Sequence, residues 1–171
     1  MAEPASAAPG AAQPAAVQPA AEQPAGWVAV VELPIDVMSL IARVSDNGVG
    51  AISTFLGTVR HVNDGRDVTG IEYHAYQPMA ARELALIAEE TCSASPGLRL
   101  AIEHRVGTLG IGDVSVAIAA SHARRAPALA ATTYVIEALK RRVPIWKCEH
   151  YVDGSRAWVD PTTSTAPSMR T

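Results

Sequence analysis

Lysine is nearly missing from this chain. Among 171 residues only Lys140 and Lys147 carry an ammonium side chain; the other strong cations are all arginines. Cysteine is almost as scarce. Cys92 and Cys148 alone cannot make a disulfide framework, so a reducing cytoplasm is the expected compartment. Long apolar runs are absent too: none reaches the ~18 residues of a membrane span, and no membrane is expected as a partner. Positive charge is not in excess. The formal net charge is −3, which leaves nucleic acid without an electrostatic footprint. Five histidines, at 61, 74, 104, 122 and 150, lack metal-ligand spacing, and neither a metal nor a cofactor is expected. The first stretch, Met1 to about Gly26, has no basic start and no compact Leu- or Val-rich segment, so it does not read as a signal peptide.

What is present is one ordinary domain's worth of core. The chain is 49% hydrophobic, and residues 27–160 carry the periodic patterns. Residues 1–26, mostly Ala, Pro and Gln, are expected to be a disordered leader without a catalytic role, and residues 161–171 a polar, flexible tail. Strands are expected over Trp27–Glu32, Gly50–Val59, Val68–Tyr76, Leu98–Val106, Val114–Ala120 and Arg156–Val159. The Val68–Tyr76 strand reads as a hairpin partner of Gly50–Val59. Helices are expected over Ile35–Val44 and Met79–Cys92, and a longest one follows Pro127, which fits a first helical turn. The glycine-rich run Gly107–Asp113 lacks the P-loop lysine and the GxGxxG spacing before a helix, so it reads as a hairpin connection.

The chain is organised around Leu139–Lys140–Arg141–Arg142–Val143–Pro144–Ile145–Trp146–Lys147. Pro144 cannot continue a helix and pushes Val143 towards extended geometry. Lys140 therefore falls in a last helical turn and Lys147 on the strand that leaves it, so a turn can fold both towards one pocket. The same cations also suit a solvated helix C-terminus. Six of the fourteen basic residues lie between Ser121 and Lys147, offset only by Glu137; on a mildly acidic protein this suggests a small anionic ligand. Arg60 ends a buried strand before a polar loop, a position equally suited to a ligand or to plain surface. Arg124 and Arg125 stand at a helix N-terminus, where free N–H groups favour an anion, or are a surface pair. Cys148 beside Lys147 reads better as a small half-buried strand residue than as a nucleophile. Arg125 and Lys140 are fifteen residues apart, about 22 Å along a helix. One chain cannot easily bring both to one small ligand, whereas two chains related by a two-fold axis can. A homodimer with shared sites is expected.

Four segments together resemble the large, catalytic subunit of molybdopterin synthase. They are Thr54–Phe55–Leu56–Gly57–Thr58–Val59–Arg60, Tyr76–Gln77–Pro78–Met79, His104–Arg105–Val106–Gly107–Thr108–Leu109 and Leu139 through Glu149, in family order between about Trp27 and Asp160. The resemblance implies an α+β fold, an α/β hammerhead with an additional antiparallel β-sheet subdomain. It implies a cytoplasmic sulfurtransferase of molybdenum cofactor biosynthesis. Sulfur would come from the C-terminal Gly-Gly thiocarboxylate of a small ubiquitin-like subunit and pass to cyclic pyranopterin monophosphate, forming the molybdopterin dithiolene. The assembly implied is a homodimer within a heterotetramer. Lys140 and Lys147 match the family's active-site lysines, Arg60 its strand-end arginine, with Thr58 and Val59 in the same substrate-contacting segment. Glu149 matches its acid, and Cys148 stands where a basic residue is common. Arg125 matches the arginine of a His-Arg pair, but Arg124 occupies the histidine's place and His122 lies two residues earlier. One lysine, its pKa lowered by burial and neighbouring cations, is expected to move a proton and the other to stabilise charge; Lys140 is assigned the first role and Lys147 the second.

Overall fold

Two β-sheets share the work of this fold, and the site lies where they meet. A computed structural model describes residues 26–159. The leader and tail lie outside the described residues, except that Gly26 opens the first strand rather than closing the leader. The order is β1 (Gly26–Val31), α1 (Val37–Val44), β2 (Ala51–Thr58), β3 (Val62–Asn63), β4 (Arg66–Ala75), α2 (Gln77–Ala94), β5 (Arg99–Arg105), β6 (Gly107–Gly110), β7 (Val114–His122), α3 (Arg125–Arg142), β8 (Ile145–Tyr151) and β9 (Arg156–Val159).

The first sheet runs β1-β5-β7-β2, with β1 parallel to β5 and the remaining pairs antiparallel. Helices α2 and α3 pack on one face. In α2 the buried positions are Ala80, Leu84, Ile87, Ala88 and Thr91, the three- and four-residue spacing of a helix stripe. In α3 they include Ala128, Ala131, Val135, Ile136, Ala138 and Leu139. Opposite them stand Leu100 and Ile102 of β5 and Val116, Ile118 and Ala120 of β7. Each fully buried large aliphatic stabilises the fold by about 1.5–3 kcal/mol. Helix α1 covers the other face with Leu40 and Val44 against Ala101, Ala117 and Ala119. Its start is set by Asp36, which accepts from the backbone N–H of Met38 (3.0 Å) and Ser39 (3.2 Å).

The second sheet is antiparallel, in the order β3-β4-β8-β9, with β6 also paired to β4. Two expectations fail here. The Val68–Tyr76 strand is not the hairpin partner of Gly50–Val59: β2 pairs with β7, Phe55 opposite Ile118, while β4 pairs with β3, β6 and β8. The short β3 takes the hairpin instead. Asp64 and Gly65 both have positive φ, 48° and 76°, the two-residue turn that matches strand twist. The Gly107–Asp113 run is only partly a connection, since its first four residues form β6, opposite Gly70–Tyr73.

Candidate active site

The α3–β8 junction is built as the proline dictates. The Val143 N–H closes the last turn on the Leu139 carbonyl (3.0 Å), and the Ile145 N–H already bonds the Val143 carbonyl (2.8 Å). Val143 and Ile145 are buried in the main core, so the chain reverses direction there without freedom to drift. Lys140 is left in the final turn of α3. The pleat of β8 sends Lys147 and Glu149 to one side and Cys148 to the other.

Lys140 and Lys147 open onto one cavity of about 740 Å³ between the two sheets. Thr58, Arg60, Asn63 and Asp64 border it from the β2–β4 region, Tyr73 and His104 from β4 and β5, and Glu149 from β8. Phe55, Ile136, Leu139, Val143 and Ile145 supply an apolar wall. Its charged groups are three cations (Arg60, Lys140, Lys147) against two carboxylates (Asp64, Glu149), one positive unit in all.

Glu149 is the anchor of this arrangement. It is 1% exposed and accepts hydrogen bonds from Lys147 Nζ (3.0 Å), the Tyr151 hydroxyl (2.9 Å) and Asn63 Nδ2 (2.9 Å). Burial opposes its ionisation, yet the bonds from Lys147, Tyr151 and Asn63 outweigh burial, and its pKa lies below the ordinary glutamate value. The Asn63 amide oxygen in turn accepts from the Arg60 guanidinium at 2.9 Å. Lys147 is therefore a fixed, paired cation. Lys140 is exposed and makes no ion pair among the described residues.

Deeper in the cavity wall, burial lowers the His104 pKa to about 4, so its ring is neutral near pH 7. Its Nδ1 lies 2.9 Å from the Arg105 carbonyl and must donate to it, which leaves Nε2 as an acceptor. Burial pushes the neighbouring Tyr73 phenol up; the two rings meet edge to face at 5.3 Å. Sequence reasoning passed over His104, Tyr73 and Asn63. A signal for His104 existed: it continues the inward alternation of Leu100 and Ile102 along β5.

Other anticipated site residues lie elsewhere. Val59 is 2% exposed and packs with Val68, Ile71, Leu109 and Tyr151. Cys148 is buried outside the cavity lining, on the opposite face of β8 from Lys147. Arg124 caps α3 and Arg125 begins it; neither borders the Lys140–Lys147 cavity of its own chain. Arg124 instead borders a second depression of about 540 Å³ with Asp46, Arg99 and His122. His122 is held there, Nε2 donating to the Pro96 carbonyl (3.2 Å) and Nδ1 accepting from the Arg124 N–H (2.9 Å). Helix α3 is continuous from Arg125 to Arg142, so the separation of about 22 Å stands. Among the described residues no cluster of His, Cys, Asp or Glu is arranged to hold a metal, and no helix is long and apolar enough to cross a membrane.

Fold and cavity together define the class seen in molybdopterin synthase. The crystal structure of that enzyme from Staphylococcus aureus superposes with a TM-score of 0.73 at 38% identity, covering 76% of this chain and 94% of that one. A Helicobacter pylori complex of subunits 1 and 2 of molybdopterin-converting factor shares the fold, with a TM-score of 0.65 at 21% identity, covering 77% of this chain and 89% of that one. In sequence, the molybdopterin synthase catalytic subunit of Halalkalibacterium halodurans is 43% identical over 137 residues, 80% of this chain and 87% of that protein. The model of the MoaE protein family matches residues 30–142. The chain belongs to the MoaE family. Its mixed helix-and-sheet fold and its enzyme class, the sulfurtransferase subunit of molybdenum cofactor biosynthesis, are those expected from the sequence.

Proposed function

We propose that residues 27–160 act as one cytoplasmic catalytic unit that moves sulfur from the C-terminal Gly-Gly thiocarboxylate of a small ubiquitin-like subunit to cyclic pyranopterin monophosphate. The observation that carries this reading is the convergence of Arg60, Lys140 and Lys147 on one cavity with an apolar wall. Both reactants are anions. Bringing two unit charges to 4 Å costs about 4 kcal/mol at an effective dielectric near 20, and a cationic pocket offsets that repulsion. The apolar wall suits the flat pterin ring and excludes water from part of the site.

Each residue then has a task. Arg60, with Thr58 beside it, holds the phosphate. Lys147, fixed against Glu149, stabilises the negative charge that develops as the phosphate ring opens. Lys140, exposed at the cavity and without an ion pair among the described residues, donates or removes the proton during sulfur addition. The thiocarboxylate sulfur forms a bond to a side-chain carbon of the pterin as that carbon's bond to a phosphate-ring oxygen breaks, and the oxygen keeps the electron pair on the phosphate. Water then cleaves the acyl–sulfur bond, so sulfur stays on the pterin and the partner leaves as a carboxylate. A second thiocarboxylated partner delivers the second sulfur to the neighbouring carbon, whose oxygen leaves as water, and this completes the dithiolene.

One positive unit is too little for two anions, which supports a shared site. Arg124 and Arg125 sit at the far end of α3. In a two-fold dimer, Arg124 and Arg125 of the partner subunit complete the cavity of this chain, and a small subunit at each end makes a heterotetramer. The test mixes the purified protein with thiocarboxylated small subunit and the pterin precursor. Dithiolene product is expected. Capture of the partner's tail with no product would reduce the protein to a binding module.

A further inference from the structure

Arg60 is exposed at the start of a polar loop, yet its side chain is not left to wander. Its guanidinium donates to Asn63 Oδ1 at 2.9 Å, and Asn63 Nδ2 donates to buried Glu149 at 2.9 Å. The same carboxylate holds Lys147 at 3.0 Å. We infer that Asn63 is a positioning residue, the neutral link that ties Arg60 to the Glu149–Lys147 pair and aims the guanidinium at the bound phosphate.

The chemistry of this position admits few side chains. One end must accept from a guanidinium and the other must donate to a carboxylate, which a primary amide does. An aspartate would set a second carboxylate against Glu149, and an aliphatic side chain would serve neither neighbour. The two neighbours also fix which way the amide points, because the reversed amide would face donor with donor and acceptor with acceptor. The backbone is arranged to the same end. Asn63 pairs with Arg66 across the Asp64–Gly65 turn, and this tight hairpin folds residue 63 back over Glu149. Ordering a long arginine side chain costs it much rotamer freedom. Restraining Arg60 before substrate arrives removes part of that cost from binding, which is preorganisation.

This inference rests on the proposed phosphate role of Arg60, so the experiment separates the two. Asn63→Leu, Arg60→Ala and the double variant are assayed for sulfur transfer, with KM for the pterin phosphate and kcat read separately. Inorganic phosphate binding to the same proteins is measured by calorimetry. Asn63→Leu is expected to raise KM about tenfold, the scale of one hydrogen bond to a charged group, with kcat within about twofold. In the Arg60→Ala background it should add nothing, the non-additivity of residues acting through one another. An unchanged KM, or an equal loss with and without Arg60, overturns the inference while leaving the sulfur-transfer reading intact. An inactive wild type overturns that reading, and the phosphate titration of the same variants still decides Asn63. Should Asn63→Leu fold poorly, Asn63→Ala gives the same comparison without added bulk.

Discussion

Replacing Glu149 by glutamine tests whether one buried carboxylate holds the cavity's cations in place. The side chain is 1% exposed and receives three donors. An amide at this position has only one oxygen, so its NH2 must meet either Lys147 or the Asn63 amide, donor against donor. A hydrogen bond to a charged group contributes about 1.5–3 kcal/mol, and breaking a buried ion pair costs about 3–5 kcal/mol. The Lys147 side chain is 23% exposed, and water recovers part of that loss. A destabilisation of about 2–3 kcal/mol follows, or a fall in Tm of about 6–9 °C at this chain length. The pH dependence has a defined sign. The folded-state pKa of Glu149 is depressed, so its stabilisation is present above the ordinary glutamate value and is lost as pH falls through the folded value. Thermal melts of wild type and Glu149→Gln should therefore differ most near neutrality and converge in acid. Equal Tm values at pH 7, or a gap that persists unchanged at pH 3, would refute the reasoning.

Three further outcomes are expected. Lys140→Ala should keep substrate binding and lose turnover by about a hundredfold or more, the scale of a removed acid–base group; near-normal sulfur transfer would end its assignment. Leu84→Ala, at a position with no exposure, should cost about 2–5 kcal/mol in chemical denaturation without a change in KM. Arg142→Ala removes the bonds from α3 to Glu83 and Glu90 of α2; it should lower Tm less than Glu149→Gln and leave kcat unchanged, since Arg142 lies outside the cavity lining.

The parts of this fold that were legible in the sequence are those governed by neighbours along the chain. Pro144 announces the end of α3 and the start of β8, and with them the positions of both lysines. Pro127 and the following alanines mark α3 itself. Pairing between distant segments was not legible. Nothing in Gly50–Val59 says that its partner is β7 rather than the nearer β4, because both candidates are apolar and β-prone. Gly107–Gly110 forms a strand only because β4 offers it hydrogen bonds. The site was half visible for the same reason. Cations drew attention as charges, whereas Asn63 matters only because β3 folds it against Glu149, eighty-six residues later in the chain. Cys148 is next to Lys147 in sequence, and the pleat of β8 turns it to the opposite face; Val59, just past the end of β2, is packed against Val68, Ile71, Leu109 and Tyr151.

In the proposed site a second copy of the chain completes the catalytic cavity. Mixing two inactive variants tests this directly: Lys140→Ala, and a second chain carrying Arg124→Ala with Arg125→Ala. If the arginines act across the dimer, random reassociation makes one intact site in each mixed dimer, and about a quarter of wild-type sulfur transfer returns. If they serve their own chain's lysines, every site carries a defect and no activity returns, which would contradict the account.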